Sequence, residues 1–193
     1  MQTICVFCGS ADKLHPDYQA AARRLGETIA ARGMRLAYGA GRTGLMGAVA
    51  DGALQAGGEV IGVIPAIFYT PQLVHTGLTS LEVVDNMHQR KARLAELADA
   101  FVALPGGYGT FEELFEMLTW AQIGLHHKPV GLLNVRDYFK PLLEMVAHAQ
   151  QEGFIYGEHL ALFTCLAEPA ALLDALADHR PPPGLERWLT REE

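Results

Sequence analysis

The sequence predicts an α/β fold: a single domain of three layers, with a mainly parallel central sheet between helices. Two patterns carry that expectation. Strand-length apolar runs alternate with longer segments of helical period, and each glycine-rich turn directly follows a strand. Composition is the third observation: half of the 193 residues are hydrophobic, enough for one sizeable core and too many for a disordered chain. The domain is expected to span residues 1–179, with residues 180–193 as a tail.

Thr3–Cys8 is predicted as the first strand, ending at Gly9-Ser10. Pro16–Arg32 reads as a helix: proline suits a first turn, and Tyr18, Ala22, Leu25 and Ile29 recur at helical spacing. Arg35–Tyr38 is a short strand, and Leu45–Ala56 an alanine-rich helix closed by Gly57-Gly58. Val60–Ile64 is a third strand, stopped by Pro65. From Pro65 to about Ser80 no period is visible, and the segment reads as a loop or lid over a site. A short strand at Leu81–Val84 precedes a helix at Met87–Leu97 and a strand at Ala100–Leu104. Thr110–Gln122 is helical, Val130–Asn134 a strand, and Tyr138–Gln151 a helix. Leu160–Leu166 reads as a last strand or a helical turn, and Pro169–Ala177 as the final helix. Arg180-Pro181-Pro182-Pro183-Gly184 marks a frayed tail.

Charge and cysteine content narrow the function. A net charge of −7 argues against general nucleic-acid binding, which requires phosphate neutralisation, but leaves room for one local anion pocket. Cys5, Cys8 and Cys165 are too few and odd in number for a disulfide framework. Cys5-Val6-Phe7-Cys8 has C-x-x-C spacing, yet it lies in an apolar strand where cysteine is a good core residue, and no second pair completes a zinc site. The eight histidines form no ligand pattern, so neither a metal nor a cofactor is expected. The start of the chain lacks the marks of a signal peptide and no apolar run reaches membrane-spanning length, so a cytoplasmic protein without membrane contact is expected.

In a parallel sheet, ligands bind outside the carboxyl ends of the strands. Three glycine turns should gather there: Gly9-Ser10-Ala11, Gly39-Ala40-Gly41-Arg42-Thr43-Gly44 and Gly106-Gly107-Tyr108-Gly109-Thr110. Glycine lets backbone N–H groups approach an anion, and a helix start behind the turn adds partial positive charge. The second turn matches G-x-G-x-x-G, but it follows the second strand and lacks the acidic residue expected about 20 positions later, which disfavours NAD. A tight packing turn and a substrate turn remain equally good readings of it. In the third turn, Thr110-Phe111-Glu112-Glu113 is a capping box with Thr110 at the N-cap. That leaves Pro105 to Gly109 unexplained. Met87-His88-Gln89-Arg90-Lys91-Ala92-Arg93 is the densest basic cluster. It reads either as a solvated helix face or, because cations oppose the dipole at a helix start, as the partner of a ligand anion or a carboxylate.

These residues together resemble the LOG ("lonely guy") family of cytokinin-activating phosphoribohydrolases. The resemblance rests on Met87-His88-Gln89-Arg90-Lys91, Pro105 to Glu113, Thr119-Trp120-Ala121-Gln122 and Lys128 to Asn134, with Cys8-Gly9-Ser10 and Gly39 to Gly47. It covers roughly residues 1–155 and fades after Gly157. It implies a Rossmann-like fold, a homodimer, and hydrolysis of N6-substituted AMP, with AMP itself a further substrate, to free base and ribose 5-phosphate. Similar sequences often carry the label lysine decarboxylase, for which the residues make no case.

By motif position, the resemblance places the catalytic pair on Arg90 and Glu113. The candidate substrate-binding set is Gly9, Ser10, Gly41, Gly44, Met87, Lys91, Gly106, Gly107, Tyr108, Gly109, Thr110, Glu112 and Thr119. The expected division of labour puts the 5′-phosphate on the glycine turns and the ribose hydroxyls on Glu113. A non-catalytic nucleotide carrier and a general nucleoside-monophosphate nucleosidase are the alternatives.

Overall fold

The computed structural model describes residues 1–185. Seven strands form one sheet: β1 Thr3–Phe7, β2 Arg35–Tyr38, β3 Val60–Pro65, β4 Ser80–Val84, β5 Ala100–Ala103, β6 Val130–Leu133 and β7 Phe163–Leu166. Their order is β4-β3-β2-β1-β5-β6-β7, and every neighbouring pair is parallel. Strands buried on both faces need no polar alternation, which is why β1, β3, β5 and β6 read as unbroken apolar runs.

Among the described residues six α-helices cover the two faces: α1 Pro16–Ala31, α2 Gly44–Gln55, α3 Met87–Leu97, α4 Tyr108–Gln122, α5 Lys140–Gln151 and α6 Pro169–Ala177. Successive strand residues point to opposite faces. Ile4, Val6, Leu36, Tyr38 and Val102 therefore enter one core with α1, α2 and α6, while Cys5, Phe7, Val63, Phe101 and Leu132 enter the other with α3 and α4. This is the three-layer, Rossmann-like arrangement expected from the alternation.

Sheet order reverses at β1, whose neighbours are β2 on one side and β5 on the other. Such a reversal opens a crevice at the carboxyl ends of the two central strands. The chain returns from edge strand β4 to β5 through α3, which packs against β3, β2 and β1 on its way. That crossing carries the basic cluster to the crevice.

Several local expectations are corrected. The segment between Pro65 and Ser80 is a loop as expected, but it holds a 3₁₀ turn at Ala66–Phe68 and is tied to the second glycine turn. Val74 bridges Gly41, Arg42 N–H donates to the Leu73 carbonyl at 2.9 Å, and His75 N–H donates to that of Ala40 at 3.0 Å. The helix expected at Tyr138–Gln151 starts at Lys140, because Arg136 and Asp137 adopt left-handed backbone angles and break the run. Both readings of Leu160–Leu166 hold in part: a 3₁₀ helix at Gly157–Leu162 leads into β7. The tail expected to fray lies partly outside the described residues. Within them, Leu185 is buried against Ala121 and Leu162. No helix among the described residues is long and apolar enough to cross a membrane.

Candidate active site

The three glycine turns meet at the crevice. Gly9 N–H donates to the Pro105 carbonyl at 3.1 Å, joining the first turn to the third. The second turn leans on the first through Leu45 N–H to Gly9 O at 2.9 Å and Thr43 Oγ1 to Ser10 O at 3.0 Å. Gly44 has φ +60, its N–H donates to Asp12 Oδ1 at 3.0 Å, and a Cβ there would lie 2.5 Å from the Ser10 carbonyl carbon. Glycine is obligatory at that position for backbone and packing together. The packing reading of the second turn therefore accounts for Gly44.

Helix α4 begins two residues earlier than expected. Its N-cap is Gly107, with extended backbone and no side-chain cap. The predicted capping box does not form: Thr110 lies inside the first turn, buried, and Glu113 turns away toward α3. The amide groups of Tyr108, Gly109 and Thr110 thus precede the first helical bond, Phe111 N–H to Gly107 O at 3.1 Å. The capping signature instead belongs to α3. There Asn86 accepts from Gln89 N–H at 3.0 Å, and Gln89 Oε1 accepts from Asp85 N–H at 2.9 Å. Tyr138 donates its hydroxyl to the Gly106 carbonyl and stacks on Phe111, bracing the third turn from outside the motif.

Each cation of the basic cluster is paired with carboxylates, and Arg90 and Lys91 are largely withdrawn from solvent. Arg90 Nη1 donates to Glu113 Oε1 at 2.9 Å and Arg90 Nε to the Val63 carbonyl at 3.2 Å. Lys91 Nζ donates to Glu112 and, at 2.9 Å, to Glu116. Arg93 makes a forked contact with Glu82 at 2.6 and 3.0 Å. Burial pushes the Glu113 carboxyl above the ordinary carboxylate range; Arg90 opposes the shift without cancelling it, and Glu112 adds to it. Burial pulls Lys91 down, yet its bonds to Glu112 and Glu116 outweigh that and hold it above the ordinary lysine value. Both cysteines of the C-x-x-C are buried in the core, and their thiols are driven up chiefly by desolvation.

A family model described as "Possible lysine decarboxylase" matches residues 46–176. The chain is 52% identical over 155 residues to cytokinin riboside 5′-monophosphate phosphoribohydrolase of Rhodococcoides fascians, covering 80% of this chain and 78% of that protein. It is 46% identical over 177 residues to a probable enzyme of the same name from Oryza sativa subsp. japonica, covering 92% and 84%. The chain belongs to the LOG family. The molybdenum cofactor carrier protein of Chlamydomonas reinhardtii shares the fold, with a TM-score of 0.71 at 22% identity, covering 92% and 96% of the two chains.

The LOG motif residues are not all brought together. Arg90, Lys91, Glu112 and Glu113 form one charged cluster, and Gly9, Ser10, Gly44 and Gly106 meet where the turns abut. Gly41 accepts from the Tyr38 hydroxyl at 3.2 Å and is tied to the 66–79 segment through Val74. Met87, Gly107, Tyr108 and Gly109 are exposed, Tyr108 almost fully at 95%. Thr119 is also exposed, on the outer face of α4, where its hydroxyl donates to the Phe115 carbonyl at 2.6 Å. It lies six residues beyond Glu113, about 9 Å along the helix axis.

Sequence reasoning missed Glu116, Asp12, Tyr138 and the Val63 carbonyl. Helical spacing carried a signal for Glu116, one turn after Glu112 on the same face. The other three are placed by tertiary structure alone. Among the described residues no group of three or more His, Cys, Asp or Glu side chains is arranged to hold a metal ion.

Proposed function

We propose that this protein hydrolyses the N-glycosidic bond of N6-substituted adenosine 5′-monophosphates, releasing the free base and ribose 5-phosphate. The observation that carries this reading is the buried Arg90–Glu113 pair beside three abutting glycine turns, in a chain half identical to a phosphoribohydrolase.

In the reaction the bond from the anomeric carbon to the base nitrogen breaks, and its electron pair leaves with the base. Water adds its oxygen to that carbon, loses a proton, and the departing base gains one. Positive charge grows on the sugar in the transition state. Glu113 would stabilise that charge through the ribose hydroxyls or orient the water. Arg90 would hold the substrate and offset negative charge. The uncapped amides at the start of α4, with Ser10, Thr110 and the glycine backbone, would hold the 5′-phosphate. Glu112 and Lys91 complete the rim.

The lysine decarboxylase label finds no support in this chemistry. A Schiff-base lysine must shed its proton, whereas Lys91 is held charged between two carboxylates. A carrier role rests only on a fold likeness at 22% identity, and fold does not carry function.

The working unit in this reading is a homodimer. Tyr108, Glu112, Phe115 and Thr119 line one face of α4 at helical spacing, all exposed. Covering that face with a second copy accounts for apolar exposure at Tyr108 and Phe115 beside a residue expected in substrate contact. Three free cysteines suit a reducing compartment and so a cytoplasmic enzyme. Chromatographic detection of free base from isopentenyl-AMP and from AMP tests the activity. Release from neither substrate would favour a binding protein.

A further inference from the structure

We propose that Gly39 is a positioning residue for Arg90: its missing side chain is the space in which the guanidinium lies. Gly39 directly follows β2 at the crevice. A Cβ placed on it would lie 1.7 Å from Arg90 Nη2 and 2.8 Å from Cζ, and its three nearest neighbours all belong to that guanidinium. Backbone conformation does not explain this glycine, because its φ is not positive. The first glycine of the G-x-G-x-x-G stretch is therefore spent on a side chain from another helix.

The guanidinium is fixed by three elements at once. Val63 of β3 accepts from Nε at 3.2 Å, Glu113 of α4 accepts from Nη1 at 2.9 Å, and Gly39 provides the surface under Nη2. A methyl group on Gly39 must push Nη2 outward by more than a bond length. Such a shift breaks the alignment with Glu113, since a hydrogen bond tolerates little displacement. The obstacle is the tip of a flexible side chain, so the fold accommodates alanine while the ion pair does not. The consequence for turnover rests on the hydrolase reading above; the effect on Arg90 does not.

The test follows the Glu113 carboxyl by NMR titration in ligand-free wild type, G39A, R90A and G39A/R90A. The charged or titratable groups facing Glu113 are Arg90 and Lys91 from α3, Glu112 from α4, and Cys5 and Cys8 on and just after β1. Only Arg90 moves in G39A. The Glu113 midpoint is expected to rise in G39A and in R90A, with no further rise in the double variant, because both changes remove one interaction. In parallel, kcat/KM of G39A should fall by roughly 10- to 100-fold, the scale of a 1 Å misplacement, with a loss of Tm no larger than that of R90A. An unmoved midpoint in G39A, an additive shift in G39A/R90A, or wild-type turnover from G39A overturns the proposal. Should G39A not fold, recovery of folding in G39A/R90A supports the clash with Arg90, and failure of the double variant beside a folded R90A refutes it. A wild-type protein inactive on every nucleotide would sink the hydrolase reading and leave the titration to decide the role of Gly39.

Discussion

Arg90 of α3 reaches Glu113 of α4 at 2.9 Å, and the two side chains are only 12% and 10% exposed. A pair this buried gains little net stability from its attraction, because both charges have left water. Breaking it is costly all the same: Arg90→Ala, which strands the carboxylate, should lose about 3–5 kcal/mol at neutral pH. Urea unfolding measures this, and a loss under about 1 kcal/mol would mean that water reaches Glu113 freely.

Glu113 carries the main pH prediction. Its folded value lies above the ordinary carboxylate range because of burial. If its anion acts on the sugar, activity falls as pH drops through that raised value, and the acid limb of kcat/KM lies above the limb of an exposed carboxylate. The stability effect has the opposite sense. A raised folded value means that the native state binds the proton more tightly, so this contribution is full below the unfolded value and is lost as pH rises through the folded one. A pH–rate profile with an acid limb at an ordinary carboxylate value contradicts the assignment.

The fold was legible because both periodicities are clean. Runs such as Ile4–Phe7 and Phe101–Leu104 are buried on both faces, and α1 has an apolar stripe through Ala22, Leu25 and Ile29. Thr110 and Glu113 have capping-box spacing, but Gly107 takes the N-cap instead and burial draws Thr110 inside the first turn. The partners of the basic cluster were not legible. Arg90 and Glu113 are 23 residues apart, and only the crossing of α3 beneath the sheet brings them together. Gly39 reads equally as part of a packing turn or of a substrate turn, because nothing local says that a distant arginine lies on it.

Lys91 should behave as a structural clamp with a rim function. Its raised value is above that of a free lysine, so its stabilising bonds persist at neutral pH and are lost only as pH rises through that folded value. Lys91→Met removes the partner of Glu116, whose Oε2 is already buried without one, and should cost about 1–3 kcal/mol. Denaturant titration of the variant gives the number. Unchanged stability would show that Glu116 is served by water instead.

Cys5 and Cys8 should be silent toward thiol reagents. Both are buried and their thiols are raised, so the reactive thiolate is scarce at neutral pH. Aromatic disulfide reagents should label them only after unfolding, with the half-buried Cys165 reacting first. Rapid labelling of the C-x-x-C pair in the native protein would reopen a redox role.

Phe115→Glu on the exposed face of α4 should convert a dimer to a monomer in light scattering after size exclusion. A wild-type protein that is already monomeric at micromolar concentration contradicts the homodimer.

In the proposed reaction Glu113, held beside Arg90, supports cleavage of a nucleotide N-glycosidic bond. The most direct test of this role compares wild type with Glu113→Gln on isopentenyl-AMP, measuring free base and ribose 5-phosphate together. Equimolar products are expected from wild type and a fall in kcat of at least about 100-fold in the variant, with nucleotide binding retained. Turnover by Glu113→Gln at the wild-type rate would contradict it.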